Sequence, residues 1–127
     1  MTRINVVSPE ELTTKHLVAE YREITRLPTN LKTALNRKGK KFNLTEIPPE
    51  YVLGKGHVKF FFNKMLFLKR RFESLVNEML RRGYNPTYRD STIFDVDVHY
   101  MNDYEPTQSA IDLNRERIYN RLNNIKD

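Results

Sequence analysis

Apolar positions recur at three- and four-residue spacing in three stretches of this chain, which predicts three helices with one buried face each. The first opens at Ser8-Pro9-Glu10-Glu11. Ser8 is placed to cap, Pro9 suits the first helical position, and Glu11 would complete a capping box. The pattern continues to about Arg26 and is expected to stop before Pro28, with a restart or kink near Thr13-Thr14. At 100° per residue, three stripes separate on this helix. Leu17, Tyr21 and Ile24 form the core-facing stripe, and Lys15, Arg22 and Arg26 form a basic one on the far side. His16, Glu20 and Glu23 line up on one flank.

The second and strongest repeat runs from about Val58 to Arg82 and ends at Gly83. Phe61, Met65, Leu68, Phe72, Leu75 and Met79 carry it, with Lys69, Arg70 and Arg71 partly opposite. Arg81 and Arg82 sit in the last turn, where cations complement the helix dipole. The third helix is expected from Pro106-Thr107 to about Asn124, with Ile111, Ile118, Leu122 and Ile125 inward. Between these lie a short basic helix over 29–38 closed by Gly39, a basic loop Lys38-Gly39-Lys40-Lys41, and a break at Pro48-Pro49. A glycine-flanked turn follows at Gly54-Lys55-Gly56-His57. Residues 84–105 are aromatic and acidic, with weak periodicity, and read as a long loop. The expectation is an all-α fold in one domain over residues 1–127, with three main helices and long loops.

Composition narrows the class. The chain has 127 residues, 39% hydrophobic and 30% charged, which suits a folded globule rather than a disordered chain. There is no cysteine, so disulfides, thiolate metal sites and a cysteine nucleophile are excluded. No apolar run approaches the roughly 18 residues of a membrane span. The polar start Met1-Thr2-Arg3-Ile4-Asn5 lacks a signal-peptide apolar region. A soluble cytoplasmic protein is expected.

Charge changes the picture further. Residues 1–82 hold 17 Lys or Arg against 8 Asp or Glu, a balance of +9; residues 83–127 hold 5 against 8, a balance of −3. A basic half suggests a polyanionic partner, most often nucleic acid, although solubility alone would account for it.

Few residues carry chemistry on their own. His16, Glu20 and Glu23 have the spacing of three metal ligands on one helix face. No Glu-x-x-His pair follows to complete a di-iron bundle, and a salt-bridged face explains the stripe as well. Gly54-Lys55-Gly56-His57 lacks the spacing and the Lys-Ser/Thr pair of a phosphate loop. His57 and His99 are isolated, and no Gly-x-Ser-x-Gly elbow occurs. Phe60-Phe61-Phe62 could wedge between bases, but its place at the start of a core-facing helix favours packing. Glu23 stands beside Arg22 and Arg26, which would hold a carboxylate ionised and ready to stabilise a developing cation.

A resemblance decides among these readings. Met1-Thr2-Arg3-Ile4-Asn5, then His16-Leu17, Ala19-Glu20-Tyr21-Arg22-Glu23 and Arg26, resembles the phage-type pyrimidine dimer DNA glycosylases, the endonuclease V family. The likeness continues through Val52-Leu53-Gly54-Lys55-Gly56-His57-Val58, Phe60-Phe61, Lys64, Leu66-Phe67-Leu68 and Arg82-Gly83. Tyr104, Pro106 and the final helix fit less closely, and 28–50 and 84–103 diverge. Residues 123–127 carry no aromatic, basic tail like that of the phage members.

The resemblance implies a DNA repair enzyme with a compact all-helical fold, its N-terminal segment inserted between helices. Such an enzyme removes the 5′ base of a cyclobutane pyrimidine dimer in double-stranded DNA and nicks the abasic strand by β-elimination. It works as a monomer, without metal or organic cofactor. Carried over by position, the nucleophile is the α-amino group of Thr2 after loss of Met1, and Glu23 is the catalytic carboxylate. Arg3, Arg22 and Arg26 are the DNA-contacting arginines. An α-amine has a pKa near 8, so a useful fraction is neutral at pH 7. Two other readings fit the basic half: a non-catalytic DNA-binding protein, and a glycosylase or abasic lyase for another lesion.

Overall fold

The computed structural model of the chain describes residues 4–36 and 47–123. These form five α-helices and no strand: α1 (Thr14–Ile24), α2 (Arg26–Leu35), α3 (His57–Phe60), α4 (Met65–Arg81) and α5 (Gln108–Asn123). The three expected main helices are α1, α4 and α5, and the fold is all-α. None of the described helices is long and apolar enough to cross a membrane.

The first helix splits where a restart was expected. Pro9–Glu11 is a 3-10 turn capped by Ser8, which accepts from the Glu10 N–H. Thr13 caps α1 by accepting from the His16 N–H at 3.3 Å. Glu11 does not close a capping box, because its carboxylate binds the guanidinium of Arg115 at 2.9 and 3.0 Å. The first helix does stop before Pro28, ending at Ile24 with Thr25 as its C-cap. The short basic helix, α2, starts earlier than expected, at Arg26, and Pro28 lies in its first turn. The first backbone N–H groups of a helix have no partner inside it, so a proline there costs no hydrogen bond. Gly39 and the basic loop 38–41 lie outside the described residues.

The second helix is also broken, at residues 61–64 between α3 and α4. The three consecutive phenylalanines explain why. Phe60, Phe61 and Phe62 are all buried. On one unbroken helix they would fan across about 200°, and no single core face could take all three. The turn turns them inward together. Lys64 secures it by donating to the Phe60 carbonyl at 2.9 Å, with its ammonium 3.9 Å from the Phe60 ring centre. These aromatics pack a core; they are not an exposed wedge.

At its far end α4 closes on Gly83 with φ +89°. Tyr84 N–H donates to the Met79 carbonyl, and Gly83 N–H to that of Leu80. These two bonds form a Schellman cap, which needs the left-handed residue glycine allows. The core lies between α1 and α4, with Leu17, Ile24, Leu68, Phe72 and Leu75 fully buried. Residues 84–107 form a long connection containing 3-10 turns at Ser91–Phe94 and Val98–Tyr100. Phe94 anchors it against Phe72, with ring centres 5.5 Å apart.

The inner face of α5 differs from the expected row of aliphatics. Ala110 and Asn114 are its buried residues; Ile111 and Ile118 are half-buried, and Leu122 is exposed. Ile125 lies outside the described residues. A polar side chain occupies the centre of this face because it has hydrogen-bonding work there.

Candidate active site

The segment Ile4–Val7, outside any helix, is threaded among the helices, with side chains bonding the amides of Ile4, Val6 and Val7 and the carbonyls of Ile4 and Val7. Its amides and carbonyls find no ladder, so side chains must satisfy them. Ile4 N–H donates to His57 Nε2 at 2.8 Å, and His57 Nδ1 lies 2.7 Å from the Val52 carbonyl. This pairing fixes the Nδ1–H tautomer. Tyr51 donates its hydroxyl to the Ile4 carbonyl at 3.0 Å. Gly56, at φ +91°, provides the turn into His57, and an added Cβ would stand 3.2 Å from Pro48. The glycine pair therefore builds a turn that aims a structural histidine.

A second group of side chains holds Asn5 and Val7. Arg71 from α4 grips Glu20 from α1 through two bonds, Nε to Oε2 at 2.8 Å and Nη2 to Oε1 at 2.9 Å. Both side chains are buried. Arg71 also donates to the Val7 carbonyl. Asn5 donates to Glu20 Oε1 at 2.8 Å and accepts from Asn114 of α5 at 2.8 Å. The charges of Glu20 and Arg71 thus have the geometric and hydrogen-bond compensation that burial demands.

Beside this network lies a cavity of about 230 Å³. Helix α1 contributes His16, Ala19, Glu20 and Glu23; the N-terminal segment contributes Asn5; α5 contributes Arg117, Ile118 and Arg121. The flank stripe of α1 is therefore one wall of a cavity. Glu20 is committed to Arg71 and Asn5, which leaves the stripe a poor metal-ligand set. Among the described residues no group of three or more His, Cys, Asp or Glu is placed to hold a metal ion. His16 is held below its usual pKa by burial and by Arg117, Arg121 and Lys15. Its Nδ1 is buried without a hydrogen-bond partner. Such an orphaned atom at a cavity wall marks a place for water or ligand.

The expected site residues divide. Glu23 faces the cavity, half-buried. Arg22 does not: it lines a separate groove of about 380 Å³ with Tyr21, Thr25, Thr87, Tyr88 and Ile93. Arg26 is exposed at the start of α2. Thr2 and Arg3 lie outside the described residues. The arginines that share the cavity with Glu23 are Arg117 and Arg121, which the sequence reading missed. Their i, i+4 spacing, one turn beyond Asn114, was the available signal.

A family model described as pyrimidine dimer DNA glycosylase matches residues 1–92. The chain belongs to the pyrimidine dimer DNA glycosylase family. It is accordingly a DNA repair glycosylase, and DNA is its substrate. The match spans α1 to α4 with the threaded segment, whereas α5, which supplies Asn114, Arg117 and Arg121, lies beyond it.

Proposed function

We propose that this glycosylase excises the 5′ base of cyclobutane pyrimidine dimers and then nicks the strand as an abasic lyase, using the Thr2 α-amine. The observation that carries the reading is the threaded N-terminal segment, whose Asn5 shares a cavity wall with Glu23. Three residues span at most about 10 Å, so an amine at Thr2 stays within reach of that cavity.

The chemistry then follows. The amine lone pair of Thr2, freed by removal of Met1, bonds to the sugar C1′. The glycosidic C–N bond breaks, and the base takes the electron pair and gains a proton while staying joined to its 3′ neighbour through the cyclobutane ring. Ring opening and loss of the amine proton give an imine. Removal of a C2′ proton then expels the 3′ phosphate and breaks the strand. Glu23 stabilises the cationic sugar and carries protons during elimination. Arg3, Arg22 and Arg26 bind phosphates of the damaged duplex.

Two substrates test this: a duplex with one defined thymine dimer and a matched duplex with one abasic site. The native protein is expected to break the 5′ glycosidic bond of the dimer, leaving that base joined to its 3′ neighbour through the cyclobutane ring, and to nick both duplexes. Glu23→Gln is expected to bind the dimer duplex normally and to lose about 10²–10⁴ in turnover. Native-rate cleavage by Glu23→Gln contradicts its role. Nicking of the abasic duplex alone would make this a lyase for another lesion.

A further inference from the structure

We infer that Asn114 is a positioning residue, which sets the N-terminal segment at the cavity. The inference rests on the Thr2-amine reading above. Asn114 is fully buried in the middle of α5. Its Oδ1 accepts from the Val6 N–H at 2.6 Å and from the Val7 N–H at 3.2 Å. Its Nδ2 donates to Asn5 Oδ1 at 2.8 Å. One side chain thus fixes three consecutive residues of the segment.

Asn5 passes the constraint on, because its own amide donates to Glu20, and both Asn5 and Glu20 line the cavity. The next two turns of α5 bring Arg117 and Arg121 to the same cavity. Asn114 therefore ties the helix bearing those arginines to the segment bearing the amine. An asparagine is needed because the site requires two acceptances and one donation from one planar group. Leucine would fill the volume and leave two buried N–H groups unpaired. The role is positional, since Asn114 itself does not line the cavity.

The test is single-turnover borohydride trapping on the thymine-dimer duplex, read as both rate constant and amplitude, with DNA affinity measured separately. Native protein is the reference. If it forms no adduct at its N-terminus, the amine reading fails by itself. Given a native adduct, Asn114→Ala is expected to lower the trapping rate constant about 10- to 100-fold, with affinity and amplitude retained. Misfolding of part of the sample would lower the amplitude and leave the rate constant unchanged. Asn114→Asp preserves shape and the acceptor for Val6 and Val7, and covers the case in which the alanine variant does not fold. Its rate constant is expected to fall between the other two, with Val6 and Val7 amides still slow to exchange with deuterium. An unchanged rate constant in whichever variant folds, or unchanged exchange at Val6 and Val7 in Asn114→Ala, overturns the inference.

Discussion

Arg71 holds the threaded segment directly at Val7 and, through Glu20, at Asn5. Its guanidinium neutralises Glu20 and supplies the donor for the Val7 carbonyl, both away from water. Arg71→Met keeps the length of the side chain and removes the charge. Glu20 is then left buried and uncompensated, which typically costs about 3–5 kcal/mol. A urea unfolding midpoint should show that loss, and Glu20→Gln added to Arg71→Met should recover part of it. The pair was illegible in the sequence, where Arg71 read as one of three cations on an outer face. Its partner is 51 positions away, and helical periodicity says nothing about such a distance. Leu17, Tyr21 and Ile24 were legible because a stripe on one helix requires only local geometry.

At the scale of elements, the joints decide the shape. The C-terminal end of α4 is tied to the N-terminal 3-10 turn by Arg82, which donates to the Leu12 carbonyl at 2.7 Å and the Pro9 carbonyl at 3.2 Å. Glu78 orients it, at 2.6 Å from Arg82 and 2.5 Å from Arg81. Hydrogen bonds from Arg81 and Arg82 hold the Glu78 carboxyl down at about 2. A depressed carboxylate stabilises the fold above its unfolded pKa, and the stabilisation is lost as pH falls through the folded value. The native protein should therefore lose stability between about pH 4.5 and 2. In Glu78→Gln that part of the acid limb should be absent when urea midpoints are compared across pH. At Gly83 nothing lies within 4 Å of an added Cβ, so only the left-handed backbone opposes substitution. Gly83→Ala should cost about 1–2 kcal/mol in thermal unfolding. Gly83 was legible as a helix end; the break at 61–64 was not. The repeat from Phe61 to Met79 obscured it, and the three adjacent phenylalanines were the only local sign.

At the scale of the molecule, the charge imbalance along the chain does not become two separate halves in space. The acidic connection folds back onto α4, with Asp95 on Lys69 at 2.7 Å and Asp103 on Arg70 at 2.5 Å. Both pairs are exposed, so each adds at most about 1 kcal/mol, but they offset cations on that face. Lys15, Arg22 and Arg26 stay exposed on α1 and α2, and Arg117 and Arg121 line the cavity from α5. DNA binding should therefore weaken with salt through the α1–α2 side. Arg22→Ala or Arg26→Ala is expected to reduce the slope of log affinity against log salt by about 0.9 for each lost phosphate contact. An unchanged slope in a salt titration counts against that cation. The sequence singled out Glu23 beside the N-terminal motif, and Glu23 lines the cavity with Asn5. The α5 wall was not, because it is assembled by contacts such as Asn114 to Val6, which lie 108 positions apart.

The central claim is that the amine of Thr2 attacks the damaged nucleotide. The most direct measurement is borohydride trapping on a duplex with one thymine dimer, followed by mass-spectrometric mapping of the adduct and intact-mass measurement of the protein. The account predicts a single adduct on the Thr2 amine, with Met1 absent. An adduct on a lysine side chain, or DNA bound tightly by Met1-free protein with no adduct at all, would contradict it.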